Sequence, residues 1–279
     1  MVNQIKKPAH VAFIIFYFIC LACCNIDPSG IVTSNDLDER LEYKDKFIYL
    51  NSADLKRDFG TNYSFIVLTD IHIEDGNTRG YEKLKDAINR NNIEFIVVIG
   101  DITQYGSEND LKKFIDITDS FGVPCYPVVG NHDIYFDGWS VWKKYIGSTR
   151  YKVEGNGTTL FILDTANSFF GKQQLDWLEN EIKKLNKNER VFVFTHSSLF
   201  AKDPFEMKQT TDTRERSRIL SILSDKCDIM FMGHKHRPLI NTVGNVQYIT
   251  IDDYKNTYLY CIVTVSGSDI SYKSEKLKI

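Results

Sequence analysis

Short apolar runs that break off at a carboxylate or a histidine are the feature that most limits what this chain can become. Phe65-Ile66-Val67-Leu68 leads into Asp70-Ile71-His72, and Phe95-Ile96-Val97-Val98-Ile99 into Gly100-Asp101. Tyr126-Pro127-Val128-Val129 leads into Gly130-Asn131-His132-Asp133, Val191-Phe192-Val193-Phe194 into Thr195-His196, and Asp228-Ile229-Met230-Phe231-Met232 into Gly233-His234-Lys235-His236. Runs of this length, rich in β-branched and aromatic residues, predict strands. Between them lie helical patterns. One covers Lys83 to Asn91. A second opens at Ser107, with Asp110 three residues on as a capping box, and reaches about Phe121. A third, from Gln173 to Leu185, sets Leu175, Leu178, Ile182 and Leu185 on one face. Leu160 to Leu163 adds another strand, and Phe47 to Leu50 a peripheral one. Strands that are apolar on both faces and alternate with helices predict an α/β fold of sheets covered by helices. The tail differs: Val246 to Ile251, Tyr258 to Val265 and Asp269 to Ser274 predict successive strands with no helix between them.

The strand ends hold five of the six histidines; His10 is the exception. In α/β sheets the carboxyl ends of strands line the binding crevice, so groups roughly 165 residues apart in sequence can meet there. Taken singly, a histidine after a strand is usually a hydrogen-bonded core or surface residue, and Gly-Asp is usually a turn. Random placement does not put five histidines beside Asp or Asn at successive strand ends.

Two Asp, one Asn and several His form a mixed oxygen and nitrogen donor set without a thiolate. That disfavours structural zinc and copper(I) sites built on Cys, and several imidazoles disfavour calcium and magnesium. Manganese, iron or zinc fit. The donors exceed one tetrahedral site, so two divalent ions are expected, sharing a carboxylate. Against +4 from the ions, Asp70 and Asp101 supply −2 and leave an excess that attracts phosphate. Such a pair of ions also lowers the pKa of a water held between them, giving a nucleophile near neutral pH with no covalent enzyme intermediate.

The ordered set Asp-x-His, Gly-Asp, Gly-Asn-His, a lone His and Gly-His-x-His, at 70–72, 100–101, 130–132, 196 and 233–236, resembles that of the calcineurin-like metallophosphoesterases. The resemblance covers about Tyr63 to the C-terminus. It implies a two-sheet sandwich flanked by helices (α/β/β/α). It implies Asp70, His72 and His236 on one metal, Asn131, His196 and His234 on the other, and Asp101 bridging. His132 would then be no ligand; it would stabilise the transition state or protonate the leaving oxygen, with Asp133 orienting it. Gly100-Asp101-Ile102-Thr103 and the stretch from Leu160 to Leu178 resemble the branch of cyclic-nucleotide phosphodiesterase-like and purple acid phosphatase-like enzymes. Purple enzymes carry a ligand Tyr three residues after the bridging Asp. Here Gln104 holds that place and Tyr105 falls one residue late, so a tyrosinate–iron colour is not expected. Ser197 stands where the family often has Pro or a second His. Asp164 and Trp177 are expected to pack or hydrogen-bond rather than catalyse. Tyr135, Phe136 and Trp139 are expected to pack their loop, stacking on a nucleobase being the alternative; Arg79 and the stretch from Thr210 to Arg218 are candidates for the cleft rim.

The N-terminus reads as an address. Lys6 and Lys7 precede an apolar run from Val11 to Cys24, short of the roughly 20 residues of a membrane span. It ends in Leu21-Ala22-Cys23-Cys24, which resembles a bacterial lipoprotein box with Cys23 or Cys24 as the lipidated residue. The predicted organisation is a signal peptide over 1–24, a tether and peripheral segment over 25–60 and the phosphoesterase domain over 61–279. Cys125, Cys227 and Cys261 lie in or beside apolar runs and are expected to be buried and inert. The net charge of −3 offers no footprint for nucleic acid. The expectation is a metal-dependent phosphohydrolase of the cell envelope, periplasmic or surface-facing, lipid-anchored to a membrane and acting on small phosphorylated substrates, monoesters or diesters. The alternatives are a metal- or phosphate-binding envelope lipoprotein with little turnover, or a structural lipoprotein.

Overall fold

The computed structural model describes residues 36–74, 80–201 and 212–279. Eleven strands form two sheets. The first contains β1 (Asn62–Leu68), β2 (Ile93–Ile99), β3 (Cys125–Val128), β10 (Leu259–Ser266) and β11 (Asp269–Lys276), in the order β11-β10-β1-β2-β3. The second contains β4 (Tyr151–Gly155), β5 (Thr158–Leu163), β6 (Arg190–Thr195), β7 (Ile229–Met232), β8 (Leu239–Val243) and β9 (Val246–Thr250), in the order β4-β5-β6-β7-β9-β8. Helices α1 (Leu37–Glu42), α2 (Ser52–Leu55), α3 (Tyr81–Arg90), α4 (Glu108–Asp119), α5 (Gly138–Tyr145), α6 (Lys172–Ile182), α7 (Thr213–Leu223) and α8 (Tyr254–Thr257) complete the described residues. None is long and apolar enough to cross a membrane.

Alternation along the strands explains the layers. Phe65 and Val67 of β1, with Phe95, Val97 and Ile99 of β2, meet Phe192, Phe194 and Phe231 of the second sheet in a buried inter-sheet core. The Phe65 and Phe95 rings stack at 4.7 Å. The intervening residues Ile66, Leu68, Ile96 and Val98 pack outward under Leu84 and Ile88 of α3 and Leu111 and Phe114 of α4. On the second sheet Val191, Val193, Met230 and Met232 pack under Leu175 and Leu178 of α6 and Ile219 and Leu223 of α7. Burial on both faces is why these strands read as unbroken apolar runs. The result is the expected helix–sheet–sheet–helix arrangement. Because β1, β2 and β3 run parallel, as do β5, β6, β7 and β9, the ligand-bearing ends of each sheet share an edge.

Ser107 caps α4, its Oγ accepting from the Asp110 amide at 3.2 Å. The three domain cysteines are buried and free, as expected.

Of the segment expected as tether and peripheral stretch, residues 36–60 are described. Over 36–60 the chain is folded onto the domain, with Leu37, Leu41, Leu50 and Phe59 buried. A buried ion pair joins these apolar contacts: Arg40, fully buried, donates from Nε and Nη2 to both carboxylate oxygens of Asp164, at 2.7 and 2.9 Å. Phe47 to Leu50 is no strand. It makes a single bridge, Phe47 to Gly147, and exposes Ile48. The charged β4 and the mostly exposed edge strand β8 escaped the apolar-run criterion. The tail contains one helical turn, α8, where the chain crosses from the second sheet to the first. Arg218 pairs with Asp176 and Glu179 of α6 at 2.6 and 3.1 Å. The leader with Cys23 and Cys24, the tether up to residue 35, Arg79 and Thr210 lie outside the described residues.

Candidate metal centre

The strands deliver their ligands through sharp turns. Asp70, His72, Asp101, His234 and His236 all have left-handed backbones, with φ of 51°, 42°, 49°, 71° and 52°. For residues with a Cβ this region is costly, of order 1–3 kcal/mol each, and persists where the surroundings impose it. Two glycines show how tightly the loops interlock. A Cβ on Gly130 would lie 2.1 Å from the Asp101 amide nitrogen, and one on Gly233 would lie 2.0 Å from Thr69 Oγ1. The glycine of each motif is the space its neighbour's ligand loop occupies.

All seven candidate ligands meet. In one cluster, donor atoms of Asp70, His72 and His236 lie within 4.8 Å of one another. His236 Nε2 is 3.1 Å from Asp70 Oδ1, and His72 Nε2 is 3.8 Å from the same oxygen. In the other, Asp101, His196 and His234 satisfy the same limit. His196 Nε2 lies 3.0 Å from Asn131 Oδ1, 3.1 Å from His234 Nδ1 and 3.3 Å from Asp101 Oδ2. Asp101 Oδ2 is also 3.8 Å from His72 Nε2, which sets this one oxygen between the clusters.

The surroundings leave electron pairs aimed inward. Asp70 Oδ2 accepts from the His234 amide at 3.0 Å and contacts Thr69 Oγ1 at 2.6 Å, so Oδ1 faces the cluster. Asp101 Oδ1 accepts from the His132 amide at 2.9 Å, which leaves Oδ2 inward. Ile99 O accepts from His196 Nδ1 at 3.0 Å, so the proton of the neutral ring sits on Nδ1 and the Nε2 lone pair faces Asn131, His234 and Asp101. Asn131 Nδ2 donates to the Tyr135 hydroxyl at 2.9 Å, which turns Oδ1 toward the same point. Such a gathering of acceptors repels itself unless a cation lies among them. His196 shows the demand: burial works against its charge, yet the Asp101 carboxylate overrides this and lifts its pKa to about 10. Asp101 is held well below the carboxylate range against the cost of its burial, chiefly by His196. Burial pushes His72 down to about 4, against Asp101 and Asp70, so it is neutral. Both its ring nitrogens are buried without a hydrogen-bond partner among the described residues. The neutral His72 ring with its two orphaned nitrogens and the inward carboxylates fit divalent ions, and a divalent ion would take the place of the proton that His196 otherwise holds.

His132 sits at the rim. Gln104 O accepts from its Nδ1 at 2.7 Å, and Nε2 lies 4.0 Å from Asp101 Oδ2. Asp133 does not orient that ring. It is buried beneath the loop, where Oδ1 accepts from the Thr103 amide at 2.8 Å and Oδ2 from the Gly130 amide at 2.9 Å. Burial, then Asp101, pushes its pKa up to about 6. The backbone carbonyl of Gln104 has the role expected of Asp133, since it reaches Nδ1 first. Trp139 is buried and packs the loop as expected, whereas Phe136 is exposed. Sequence reasoning passed over Asp253, whose Oδ2 is 4.0 Å from His236 Nδ1. It follows β9 as the recognised ligands follow their strands, so the same signal was present.

Residues 63–238 match the model of the calcineurin-like phosphoesterase family. The chain belongs to that family and is a hydrolase acting on phosphoester bonds. It is 26% identical over 208 residues to a "Probable cyclic nucleotide phosphodiesterase" of Rhodopseudomonas palustris, covering 63% of this chain and 72% of that protein. Among solved structures it resembles a dimetal phosphatase from Danio rerio (TM-score 0.58, 18% identity, 77% of this chain and 99% of that one). It also resembles a purple acid phosphatase from yellow lupin seeds (TM-score 0.63, 10% identity, 79% of this chain and 52% of that one). At these identities the two structures speak for the fold alone.

Proposed function

We propose that the chain hydrolyses small phosphoesters at this centre, with Asp70, His72 and His236 holding one divalent ion, Asn131, His196 and His234 the other, and Asp101 shared. The observation that carries this reading is the convergence of acceptors on Asp101 Oδ2 and His196 Nε2, two atoms 3.3 Å apart. When bound, two ions of manganese, iron or zinc supply Lewis acidity and a water acidic enough to attack phosphorus near neutral pH. His132 does the proton work. Its Nδ1 is committed to the Gln104 carbonyl, so the partly exposed Nε2 is the nitrogen that faces substrate. Protonated there, it donates to the leaving oxygen as the phosphorus–oxygen bond breaks. Asp253 supports His236 from behind. The retention of all seven ligands and of His132 favours turnover over a binding role. The name of the R. palustris relative supports including phosphodiesters, and Phe136 at the mouth offers an apolar face to a leaving group. The lipoprotein-like leader supports an envelope location, with Cys23 or Cys24 as anchor.

The test is an assay of purified protein loaded with manganese, iron or zinc, against paired chromogenic phosphomonoester and phosphodiester substrates. Metal-dependent turnover is expected, lost in Asp101→Asn and lowered roughly 10²–10⁴-fold in His132→Ala. Full activity in folded Asp101→Asn would overturn the assignment. Radiolabelled palmitate incorporation, compared between Cys23→Ala and Cys24→Ala, tests the anchor.

A further inference from the structure

A second cleft, of about 350 Å³, opens where the N-terminal segment crosses the edge strand β4. None of its lining residues belongs to the metal centre. At its wall Arg150 is 93% buried by side-chain and backbone contacts (7% exposed), yet Nη1 has no hydrogen-bond partner among the described residues. No carboxylate lies within salt-bridge distance of this guanidinium among those residues; its one close electrostatic contact is the face of Trp177, with Cζ 4.9 Å from the ring centre. This explains Trp177, whose other neighbour is the Phe161 ring, edge-on at 5.8 Å. Burial pulls the Arg150 pKa down, and Asp45 and Asp164 oppose that pull through space.

The other charges on the wall do not settle the account. Lys152 is neutralised by Glu154 and Glu181. Lys44 and Lys56 line the cleft without an ion pair among the described residues, and Asp45 is the remaining carboxylate. The lining therefore holds four cations, Lys44, Lys56, Arg150 and Lys152, against the three carboxylates of Asp45, Glu154 and Glu181, an excess of one positive charge. Buried charges are ordinarily paired, and a guanidinium presents a fork of donors that matches an oxyanion. Phe47, Tyr151 and Trp177 give the same cleft aromatic walls. The volume is that of a small-molecule site.

We propose that this cleft is a second ligand site, which takes a small oxyanion carried on an aromatic or apolar body. Arg150 receives the carboxylate or phosphoryl oxygens, Lys44 and Lys56 screen its charge at the mouth, and Phe47 and Trp177 hold the ring. The site is independent of the dimetal centre.

Calorimetric titration of the purified full chain tests this, with phenylphosphonate and benzoate as aromatic oxyanions and methylphosphonate and benzyl alcohol as probes that lack ring or charge. All titrations use Asp101→Asn protein, so that binding at the metal centre is suppressed. The aromatic oxyanions are expected to bind and to raise the melting temperature, with the ring-free and uncharged probes at least about tenfold weaker. Arg150→Gln should weaken benzoate about tenfold or more. If Arg150→Gln fails to fold, the exposed double variant Lys44→Gln/Lys56→Gln decides, with affinity expected to drop about threefold or more. Absence of binding up to about 10 mM, or affinity unmoved by these substitutions, would overturn the proposal. Equal binding of benzoate and phenylphosphonate marks the shared oxyanion chemistry; preference for one assigns the natural ligand to the carboxylates or to the phosphoryl compounds.

Discussion

The two donor clusters of the metal centre differ in how far their outermost histidine is covered. His196, Asn131, Asp101 and His234 are all buried, and their contacts on His196 Nε2 fall between 3.0 and 3.3 Å. In the other cluster Asp70 and His72 are buried too, with His72 3.8 Å and His236 3.1 Å from Asp70 Oδ1, but the His236 side chain is 36% exposed. The deep donors are locked from outside by carbonyl and hydroxyl partners, Ile99 O on His196 and Tyr135 on Asn131. Behind the shallow His236, Asp253 Oδ2 stands 4.0 Å from Nδ1. Preorganisation by such outer contacts raises metal affinity. The difference teaches that the two groups of donors are unequally covered, and the expected consequence is that an ion held by the deep group exchanges more slowly than one held beside His236.

The largest effect should come from breaking the deep cluster. His196→Ala leaves the Asp101 carboxylate buried without its partner, and a loss of about 3–5 kcal/mol is expected in denaturant unfolding of the metal-free protein. His236→Ala should cost less, about 1–2 kcal/mol, because its side chain is 36% exposed although the buried Asp70 loses a hydrogen bond. Elemental analysis after dialysis should show one ion retained in His236→Ala. Equal stability losses in the two variants would erase the distinction. Next in size is Gly130→Ala, which drives a methyl into the Asp101 backbone. It should destabilise by about 1–3 kcal/mol and displace the shared ligand, lowering metal content along with Tm.

The smallest effect sharpens the comparison from the far end of β1, where Tyr63 shares a 2.9 Å hydrogen bond with Thr158 across the sheets. Burial pushes the Tyr63 phenol up to about 12, and Thr158 partly offsets this. The unfolded chain loses that proton near pH 10 and the folded chain near 12. The stabilisation is therefore complete below pH 10 and declines as pH rises through 12, by about 2–3 kcal/mol in all. Tyr63→Phe should cost about 1 kcal/mol at pH 7 and flatten the decline between pH 10 and 12 relative to wild type. Urea titrations at pH 8, 10 and 11 check it. An unchanged slope would show that the two ends of the strand are not distinguished in this way.

The strand-end signal was legible because burial on both faces removes polar residues from the strand and leaves the first polar residue as the ligand. The same logic failed for β4 and β8, edge strands in which Lys152, Glu154, Asn241 and Thr242 interrupt the apolar residues. It failed again for residues 36–60, where a long-range ion pair, Arg40 to Asp164, joins the apolar contacts that make a polar stretch part of the fold. A pairing across 124 residues leaves no local trace. Asp133 was misplaced for a related reason: adjacency in sequence suggested contact with His132, but a helical turn at 132–134 points the carboxylate down onto Thr103 and Gly130.

The place of β10 in the first sheet has a consequence for synthesis. Val67 pairs with Cys261, so β1 lies open on one side until about 190 further residues have been made. The turn that supports Asp70 is also late, since the amides of Tyr254 and Lys255 donate to Thr69 O and Asp70 O. Pairings this distant close slowly, and an unpaired strand is prone to join others. A nascent chain therefore carries a sticky, ligand-bearing edge through most of its elongation. The Asp70 turn therefore gains its full support only once the segment from Tyr254 through β10 has been made, and that segment acts as the clasp of the site.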